Sequence, residues 1–143
     1  MKKIVLISVL ALLISSCIRD YSTLTEFVVE NNSDHEVKAF VKNFEAEFYK
    51  SVDTVFTIGV GSKISYKYVE DGEDNVYEYP FGTSSGPINI HFDDSVSNTF
   101  SKNNESKFNP LKLENYSGEK IKKGYYRYTY TFTNQDFEEA LKD

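Results

Sequence analysis

Apolar and polar side chains alternate along several short segments of this chain, which is the pattern of a β-strand with one buried face. The clearest segment is 125–133, in which four aromatic residues fall on one face: Tyr126, Tyr128, Tyr130 and Phe132. In segment 87–93, apolar residues again alternate with polar ones, at Ile88, Ile90 and Phe92. We expect both apolar faces to form core.

Clusters of Asn, Asp, Ser and Gly separate runs rich in Val, Ile, Tyr, Phe and Thr, as in strands joined by short turns. About seven strands are predicted from these runs: 25–30, 36–43, 52–58, 62–69, 87–93, 96–101 and 125–133. Two clusters, 31–34 and 93–95, are predicted as hairpin turns. Half-buried strands with almost no helix between them favour an all-β fold, an antiparallel β-sandwich that is immunoglobulin-like or similar, with a barrel as the alternative.

One short helix is predicted at the carboxyl end of the chain. Thr133 and Asp136 have the spacing of a capping box, in which each residue bonds to the backbone of the other. Three apolar residues then fall on one helical face: Phe137, Ala140 and Leu141. We expect this face to lie over a sheet edge or end.

The first residues carry the pattern of an export signal. Lys2 and Lys3 precede an apolar run, 4–14, which is too short to span a bilayer. The run ends in Ile14-Ser15-Ser16-Cys17, which resembles the lipobox of bacterial lipoproteins, an aliphatic residue and two small ones before an invariant cysteine. The predicted organisation is a signal peptide (1–16), a lipidated cysteine and tether (17–24), and one β-sandwich domain (25–143).

The lipobox resemblance implies a specific modification at Cys17. In that family a diacylglyceryl group is joined to the cysteine sulfur, and the new amino terminus is usually acylated. Each buried methylene contributes about 0.8 kcal/mol, and stable attachment takes about two such anchors. The alternative is an ordinary cysteine near a secretory cleavage site. It is disfavoured because the chain's single cysteine falls where a lipobox requires it.

Composition limits the partners of the mature chain. Removing 1–16 leaves 127 of 143 residues, enough for one domain with its own core. The single cysteine is assigned to lipid, so no disulfide is available. Lys plus Arg falls from 16 to 14 against 22 acids, a net charge of −8. This balance argues against nucleic acid or anionic lipid as a partner, and solubility explains it.

The sequence offers little to catalysis. Its two histidines, His35 and His91, have neither metal-ligand nor triad spacing. The acidic segment 71–75 begins like a calcium loop, but Val76 and Gly82 stand where an EF-hand needs glycine and glutamate. No enzyme activity, no metal and no cofactor are therefore predicted.

Five aromatic residues lie in or beside the two longest irregular stretches, 70–86 and 102–124: Tyr77, Tyr79, Phe81, Tyr116 and Tyr125. Sugar rings stack on flat aromatic faces, so these five are predicted to bind a ligand. The alternative is that they pin the loops onto the sandwich, which is the commoner role of such residues.

Two tripeptides resemble the O-glycosylation motif of exported proteins in the Bacteroides group, an acid, a hydroxyl residue and an aliphatic one. In segment 53–55, Thr54 alternates with Phe56 and Ile58, so we expect it to face the core. In segment 94–96, Ser95 lies in a predicted turn and is the better candidate.

The overall layout, a lipobox, a short tether, tyrosine-rich strands and a final helix, is similar to small lipoproteins of the Bacteroides group. This resemblance implies a place in the cell envelope and leaves the activity open. Ile18 stands where enteric bacteria use aspartate to retain lipoproteins at the inner membrane, so the outer membrane is predicted, on either side of it.

Three functions are compatible with this sequence. The leading hypothesis is a non-catalytic binding or accessory module with a protein or glycan partner. The second is a structural or assembly subunit that pairs through a sheet edge. The third is an enzyme acting on glycans, which would need two convergent carboxylates in a cleft.

Overall fold

A computed structural model describes residues 22–46, 50–72, 74–82 and 86–142. These residues form eight strands: β1 (Ser22–Asn31), β2 (Val37–Ala46), β3 (Lys50–Ile58), β4 (Lys63–Asp71), β5 (Ile88–Phe92), β6 (Val96–Phe100), β7 (Ser117–Lys122) and β8 (Tyr125–Phe132). A short helix, α1 (Asn134–Ala140), follows β8. Single turns of 3₁₀ helix lie at Pro80–Gly82 and Leu113–Asn115.

The strands form two four-stranded sheets. Sheet A has the order β4-β1-β8-β7 and sheet B the order β3-β2-β5-β6. Neighbouring strands are antiparallel except β1 and β8, which are parallel. The predicted β-sandwich with a short carboxyl-terminal helix is therefore confirmed.

The core lies between the inner faces of the two sheets. Phe27 and Val29 of β1 are completely buried there. The centre of the Phe27 ring lies 5.6 to 6.5 Å from the centres of five other rings, those of Tyr66, Tyr68, Tyr77, Tyr116 and Tyr128. Sheet B contributes the predicted apolar face of β5, all of it buried: Ile88, Ile90 and Phe92.

The aromatic face of β8 is core over only part of its length. Tyr130 and Phe132 are buried, and Tyr128 packs against the core while remaining half-buried. Tyr126 is at the other end, where its hydroxyl donates to the Asp74 carboxylate at the surface. The alternation predicted the correct face but not where the core ends along the strand.

The two predicted hairpin turns have different outcomes. Segment 93–95 does join two paired strands, β5 and β6, and its residues Asp93 and Asp94 have φ of 49° and 57°. Aspartate tolerates this left-handed region better than most residues, because its short side chain can bond locally. This hairpin is confirmed.

The hairpin predicted at 31–34 is wrong, because β1 and β2 belong to different sheets. Asn31 has no exposed surface and holds this connection together. Its side-chain amide donates to the carbonyls of His35 and Ile58, both at 2.8 Å, and its oxygen accepts from Ser33. These bonds stabilise a crossover between sheets, where the sequence alone indicated a local reversal.

Two boundaries also differ from prediction. Segment 117–122, predicted to be irregular, is β7, so the strand count is eight rather than seven. β7 is an edge strand with all six residues exposed, so no apolar alternation marks it. β1 begins at Ser22, which shortens the predicted tether of 17–24 by three residues.

The capping box of the final helix is confirmed. The Asp136 carboxylate accepts from the Thr133 backbone N–H and hydroxyl, both at 2.8 Å, and also from the Tyr130 hydroxyl at 2.8 Å. Phe137 packs against the core and Ala140 is buried. Leu141 is 58% exposed, so its predicted place on the buried face is wrong; it caps the helix beyond its last turn.

Candidate functional site

The outer face of sheet A carries a row of alternating charges. Even-numbered residues of β1 point outward, because Phe27 and Val29 point into the core. The strand register sets Glu26 opposite Lys67 of β4 and Arg127 of β8, and Arg127 opposite Glu119 of β7. We call Lys67, Glu26, Arg127 and Glu119 the Glu26 row; it crosses all four strands.

Glu26 is the most enclosed charged group of this row, with 7% exposure. Its carboxylate accepts from Arg127 Nε at 2.8 Å and from the Tyr125 hydroxyl, and Lys67 Nζ lies 3.7 Å from Oε1. Burial opposes ionisation of Glu26, but the hydrogen bonds from Tyr125 and Arg127 and the charges of Arg127 and Lys67 outweigh it. The pKa of Glu26 is therefore held below its usual range.

Arg127 connects the row to open solvent. Its side chain is 37% exposed, and Nη1 lies 3.5 Å from the Glu119 carboxylate while Nη2 donates to the Tyr125 hydroxyl at 3.2 Å. Hydrogen bonds to Glu26 and Tyr125 raise the pKa of Arg127 further above its usual value. The guanidinium is thus permanently charged and held in one orientation, with the Nη1 side turned toward Glu119.

A shallow depression of about 520 Å³ lies beside the row on the same face. We call it the outer depression. Val28, which is 8% exposed, lines the depression. It is paired with Ser65 of β4 on one side and with Thr129 of β8 on the other, and both of these also line the depression. The rest of the lining is Ile64 and four charged residues: Glu30, Lys63, Glu119 and Arg127. Two acids and two bases leave it without net charge.

Three of the five aromatic residues predicted to bind a ligand are part of the packing instead. Phe81 has no exposed surface, and its ring packs 5.9 Å from the rings of Phe56 and Tyr66. Its backbone is left-handed, with φ of 58°, and its N–H donates to the Tyr66 hydroxyl at 3.0 Å. A side chain enclosed in this way offers no surface to a ligand. Phe81 is therefore a core residue and not the predicted ligand contact.

Tyr116 and Tyr77 also pack against the rest of the sandwich, Tyr116 buried and Tyr77 half-buried. Tyr116 is 8% exposed, and its hydroxyl donates to the Pro110 carbonyl at 2.7 Å, closing the preceding loop. The half-buried Tyr77 ring stacks on Tyr68 with centres 4.1 Å apart, and its N–H donates to Thr25. Burial raises the pKa of Tyr116 well above its usual value. Both contacts tie a loop to the sandwich, and ligand binding at the half-buried Tyr77 stays a prediction.

Tyr79 and Tyr125 keep exposed surface. Tyr79 is 37% exposed, with Lys102 Nζ 3.6 Å from its ring centre. Burial lowers the pKa of Lys102. Tyr125 is half-buried and joins the Glu26 row through its hydroxyl. The sequence therefore indicated one residue of the candidate site directly, Tyr125, and missed the charged residues around it.

Ser95 and Thr54 have the surroundings that the sequence predicted. Ser95 is exposed in the β5–β6 hairpin, and its hydroxyl donates to the Phe92 carbonyl at 3.3 Å. Thr54 is half-buried, on the same face of β3 as Ile58. Cys17 lies outside the described residues.

A second polar contact lies at the end of the sandwich where β1 finishes. His35 Nδ1 lies 2.6 Å from the Asp93 carboxylate, and the His35 ring stacks on Phe137 with centres 3.7 Å apart. Hydrogen bonds from His35 and from the Glu36 backbone lower the pKa of Asp93. The contact joins three elements, the β1–β2 connection, the β5–β6 hairpin and α1, so we assign it to the fold.

Within the described part of the chain, no group of three or more His, Cys, Asp or Glu is arranged to hold a metal ion. None of the helices described there has the length and apolar character needed to cross a bilayer. No protein-family model matches the chain, and neither does any curated protein or solved structure.

Proposed function

We propose that the protein is an exported lipoprotein of the cell envelope, cut before Cys17 and held on the outer membrane by lipid, with a non-catalytic binding module behind the anchor. The segment Ile14-Ser15-Ser16-Cys17 and the position of the single cysteine support the anchor. Only residues 18–21 separate Cys17 from β1. The module therefore stays close to the membrane that carries it.

The anchor is tested by lipid labelling of Cys17→Ala and of a matched control, Ser16→Ala, which keeps a small residue before the cysteine. Cys17→Ala is expected to lose all lipid label and to leave the membrane fraction, while Ser16→Ala stays labelled. A Cys17→Ala protein labelled like the wild type would overturn the assignment.

The observation that carries the binding role is the outer depression. Residues from all four strands of sheet A surround it, and an almost buried aliphatic side chain, Val28, lines it. Ordered polar groups beside apolar surface are typical of binding sites, in which a few polar contacts set orientation. A rigid sheet also holds these groups more precisely in place than a loop does.

The charges of the depression favour an uncharged polar ligand. Glu30 and Glu119 would repel an anion, and Lys63 and Arg127 would repel a cation. A ligand with many hydroxyl or amide groups can both donate to the carboxylates and accept from the cations. A neutral glycan or an uncharged stretch of a protein partner meets this requirement.

A steric block tests the site. Ser65 is exposed inside the depression, and Thr57 is exposed on β3 in the other sheet, so Ser65→Tyr fills the site and Thr57→Tyr is a matched control. On arrays of neutral glycans and peptides, Ser65→Tyr is expected to lose at least about tenfold in affinity, about 1.4 kcal/mol. Equal binding by both variants would contradict the assignment of the site.

Protease treatment of intact and lysed cells decides which arrays are relevant. Cleavage of the domain on intact cells would favour external glycan or host protein. Protection until lysis would favour a periplasmic partner, to be found by crosslinking.

A second candidate function, an assembly subunit that pairs through a sheet edge, is favoured by β3. This edge strand is nine residues long, Lys50–Ile58, and Val55 on it is 52% exposed. Long edges with exposed apolar residues can add a strand from another chain. If β3 pairs with a partner, Val55→Lys abolishes crosslinking to it, whereas the edge variant Lys120→Gln on β7 leaves it intact.

A further inference from the structure

The amino-terminal end of β1 lies against the turn between β7 and β8. Leu24 N–H donates to the Gly124 carbonyl at 2.8 Å, and Leu24 is in register with Tyr125. Gly124 has φ of 70°, and a side chain there would bring its Cβ to 3.1 Å from the Ser22 carbonyl oxygen. Glycine at this position allows the turn to lie directly on the start of the strand.

The number of residues between Cys17 and β1 limits how far the start of β1 can lie from the lipid anchor. Five residue steps lead from Cys17 to Ser22, which span at most about 18 Å at roughly 3.5 Å per step. If Cys17 carries lipid, as the proposed function holds, Ser22 lies within that distance of the lipidated residue, and the β7–β8 turn lies against Ser22 and Leu24. The opposite end of β1 is nine residues further on, at Asn31, or roughly 30 Å along the strand.

The turn has the composition of a surface that meets lipid headgroups. Ile121 is 41% exposed, in a strand whose six residues are all exposed, and Lys120, Lys122 and Lys123 surround it. Lysine close to a membrane contributes about 1 kcal/mol where the lipids are anionic, and long lysine side chains reach headgroups while their stems cover apolar surface.

Acidic residues also lie at this end of the sandwich. Lys120 pairs with Asp74 at 3.0 Å, and that carboxylate also accepts from the Tyr126 hydroxyl. These hydrogen bonds and the charge of Lys123 lower the pKa of Asp74. Lys122 is exposed in the turn, whereas Glu70 and Asp71 lie on β4, on the far side of β1, opposite Thr23 and Ser22. The net charge of −8 belongs to the mature chain as a whole, whereas the segment Lys120–Gly124 itself contains three lysines and no acid.

We infer that the β7–β8 turn, from Lys120 to Gly124, contacts the lipid headgroups of the membrane that carries the anchor, and so holds the β5–β6 hairpin away from the bilayer. The inference rests on the proposed lipid anchor. It gives the module an orientation: the turn faces the membrane, and Glu30 and Lys63 of the outer depression lie near the distal end of β1.

Site-specific quenching tests this orientation on the full lipidated chain. Cys17 is blocked by its lipid, so Ile121→Cys and Ser95→Cys each provide one reactive thiol for a fluorophore. Ser95 is in the β5–β6 hairpin at the opposite end of the sandwich, where the Asp93 N–H donates to the Glu36 carbonyl. The vesicles contain phosphatidylcholine with a headgroup-labelled quencher, with or without phosphatidylglycerol.

Quenching several-fold stronger at residue 121 than at residue 95 is the expected result. On vesicles with phosphatidylglycerol, Lys122→Gln and Lys123→Gln are expected to reduce contact by about fivefold per lysine. A matched variant with Lys107→Gln and Lys142→Gln, which removes two exposed lysines outside the turn, is expected to leave the quenching of residue 121 unchanged.

Two failures are distinguishable by flotation of the same samples. A protein that does not float with the vesicles lacks the lipid anchor, which overturns the proposed function and this inference with it. A protein that floats, but whose residues 121 and 95 are quenched equally, overturns the inference alone.

Discussion

Phe27 and Glu26 are neighbours on β1 whose side chains point to opposite faces of sheet A, and their exposures are only 0% and 7%. Phe27 is enclosed by rings from both loops and strands. Glu26 is enclosed on the outer face because Lys67, Tyr125 and Arg127 approach it from the strands on either side. The same degree of burial therefore has an apolar cause on one face and an ionic cause on the other.

Because of this difference, we assign stability mainly to the inner face of sheet A and binding to its outer face. Burying a large apolar side chain is strongly stabilising, and truncating it leaves a cavity that lowers the free energy of unfolding further. Exposed or half-exposed ion pairs contribute about 0 to 1 kcal/mol each. We therefore expect the inner face to dominate the free energy of unfolding, while the outer face can be altered in ways that change binding more than stability.

The largest effect is expected from the inner face. Phe27→Ala removes the ring at the centre of five aromatic contacts and is expected to lower the free energy of unfolding by about 3 to 5 kcal/mol. Urea unfolding followed by tyrosine fluorescence measures it. Val55→Ala, at a site that is 52% exposed, is the control. A loss below 1 kcal/mol for Phe27→Ala would contradict the assignment of the core centre.

Alkaline pH is expected to destabilise the inner face through its buried tyrosines. Burial raises the pKa of Tyr66, Tyr116 and Tyr130 in the folded protein, the last also through the nearby Asp136 carboxylate. A raised folded pKa means that stability is complete below the usual value of 10.0 and is lost above it. We expect a loss of about 1.4 kcal/mol per tyrosine for each pH unit above that value. The part of the tyrosinate absorbance that belongs to these three buried tyrosines should rise together with unfolding, not before it.

On the outer face, Glu26→Gln is expected to lower the free energy of unfolding by about 1 to 3 kcal/mol. The change removes a charged acceptor while Arg127 and Lys67 remain. Thermal unfolding at neutral pH, with Glu30→Gln as a control on the same strand, measures the difference. Equal effects of the two changes would show that the row does not depend on Glu26.

Acid pH sharpens the comparison. The pKa of Glu26 is lowered in the folded protein, so its contribution is present above the usual value of 4.5 and is lost as the pH falls through the folded pKa. Wild type should therefore lose more stability than Glu26→Gln between neutral pH and strongly acid pH. Parallel pH profiles for the two proteins would contradict this role of Glu26.

The smallest effect is expected at the end of the row. Glu119→Gln removes a carboxylate that is 60% exposed and 3.5 Å from Arg127, so the expected loss is about 0.2 to 1 kcal/mol. The same change should weaken ligand binding more than it weakens folding, because Glu119 lines the outer depression. A binding titration and a melting curve of the same sample separate the two effects.

The candidate site was only partly visible in the sequence. Because Tyr126 and Tyr128 share one face of β8, the residue between them, Arg127, must lie on the other face, where the structure has it paired with Glu26. Its partner Glu26 is 101 residues away, and no local pattern links the two. The residue type of Phe81 suggested a ligand contact. Its side chain points into the core instead, because its backbone is left-handed and the rings of Phe56 and Tyr66 receive its ring.

The sequence by itself determined the local features of this protein. The apolar period along β5, the aspartates of the β5–β6 turn and the capping box at Thr133 each act within a few residues, so local sequence specifies them. Only the tertiary structure decided that β1 and β2 lie in different sheets, that polar β7 is a strand, and that Glu26 meets Arg127. Those outcomes depend on which distant strands pair and in which register, and that pairing is set by packing of the whole core.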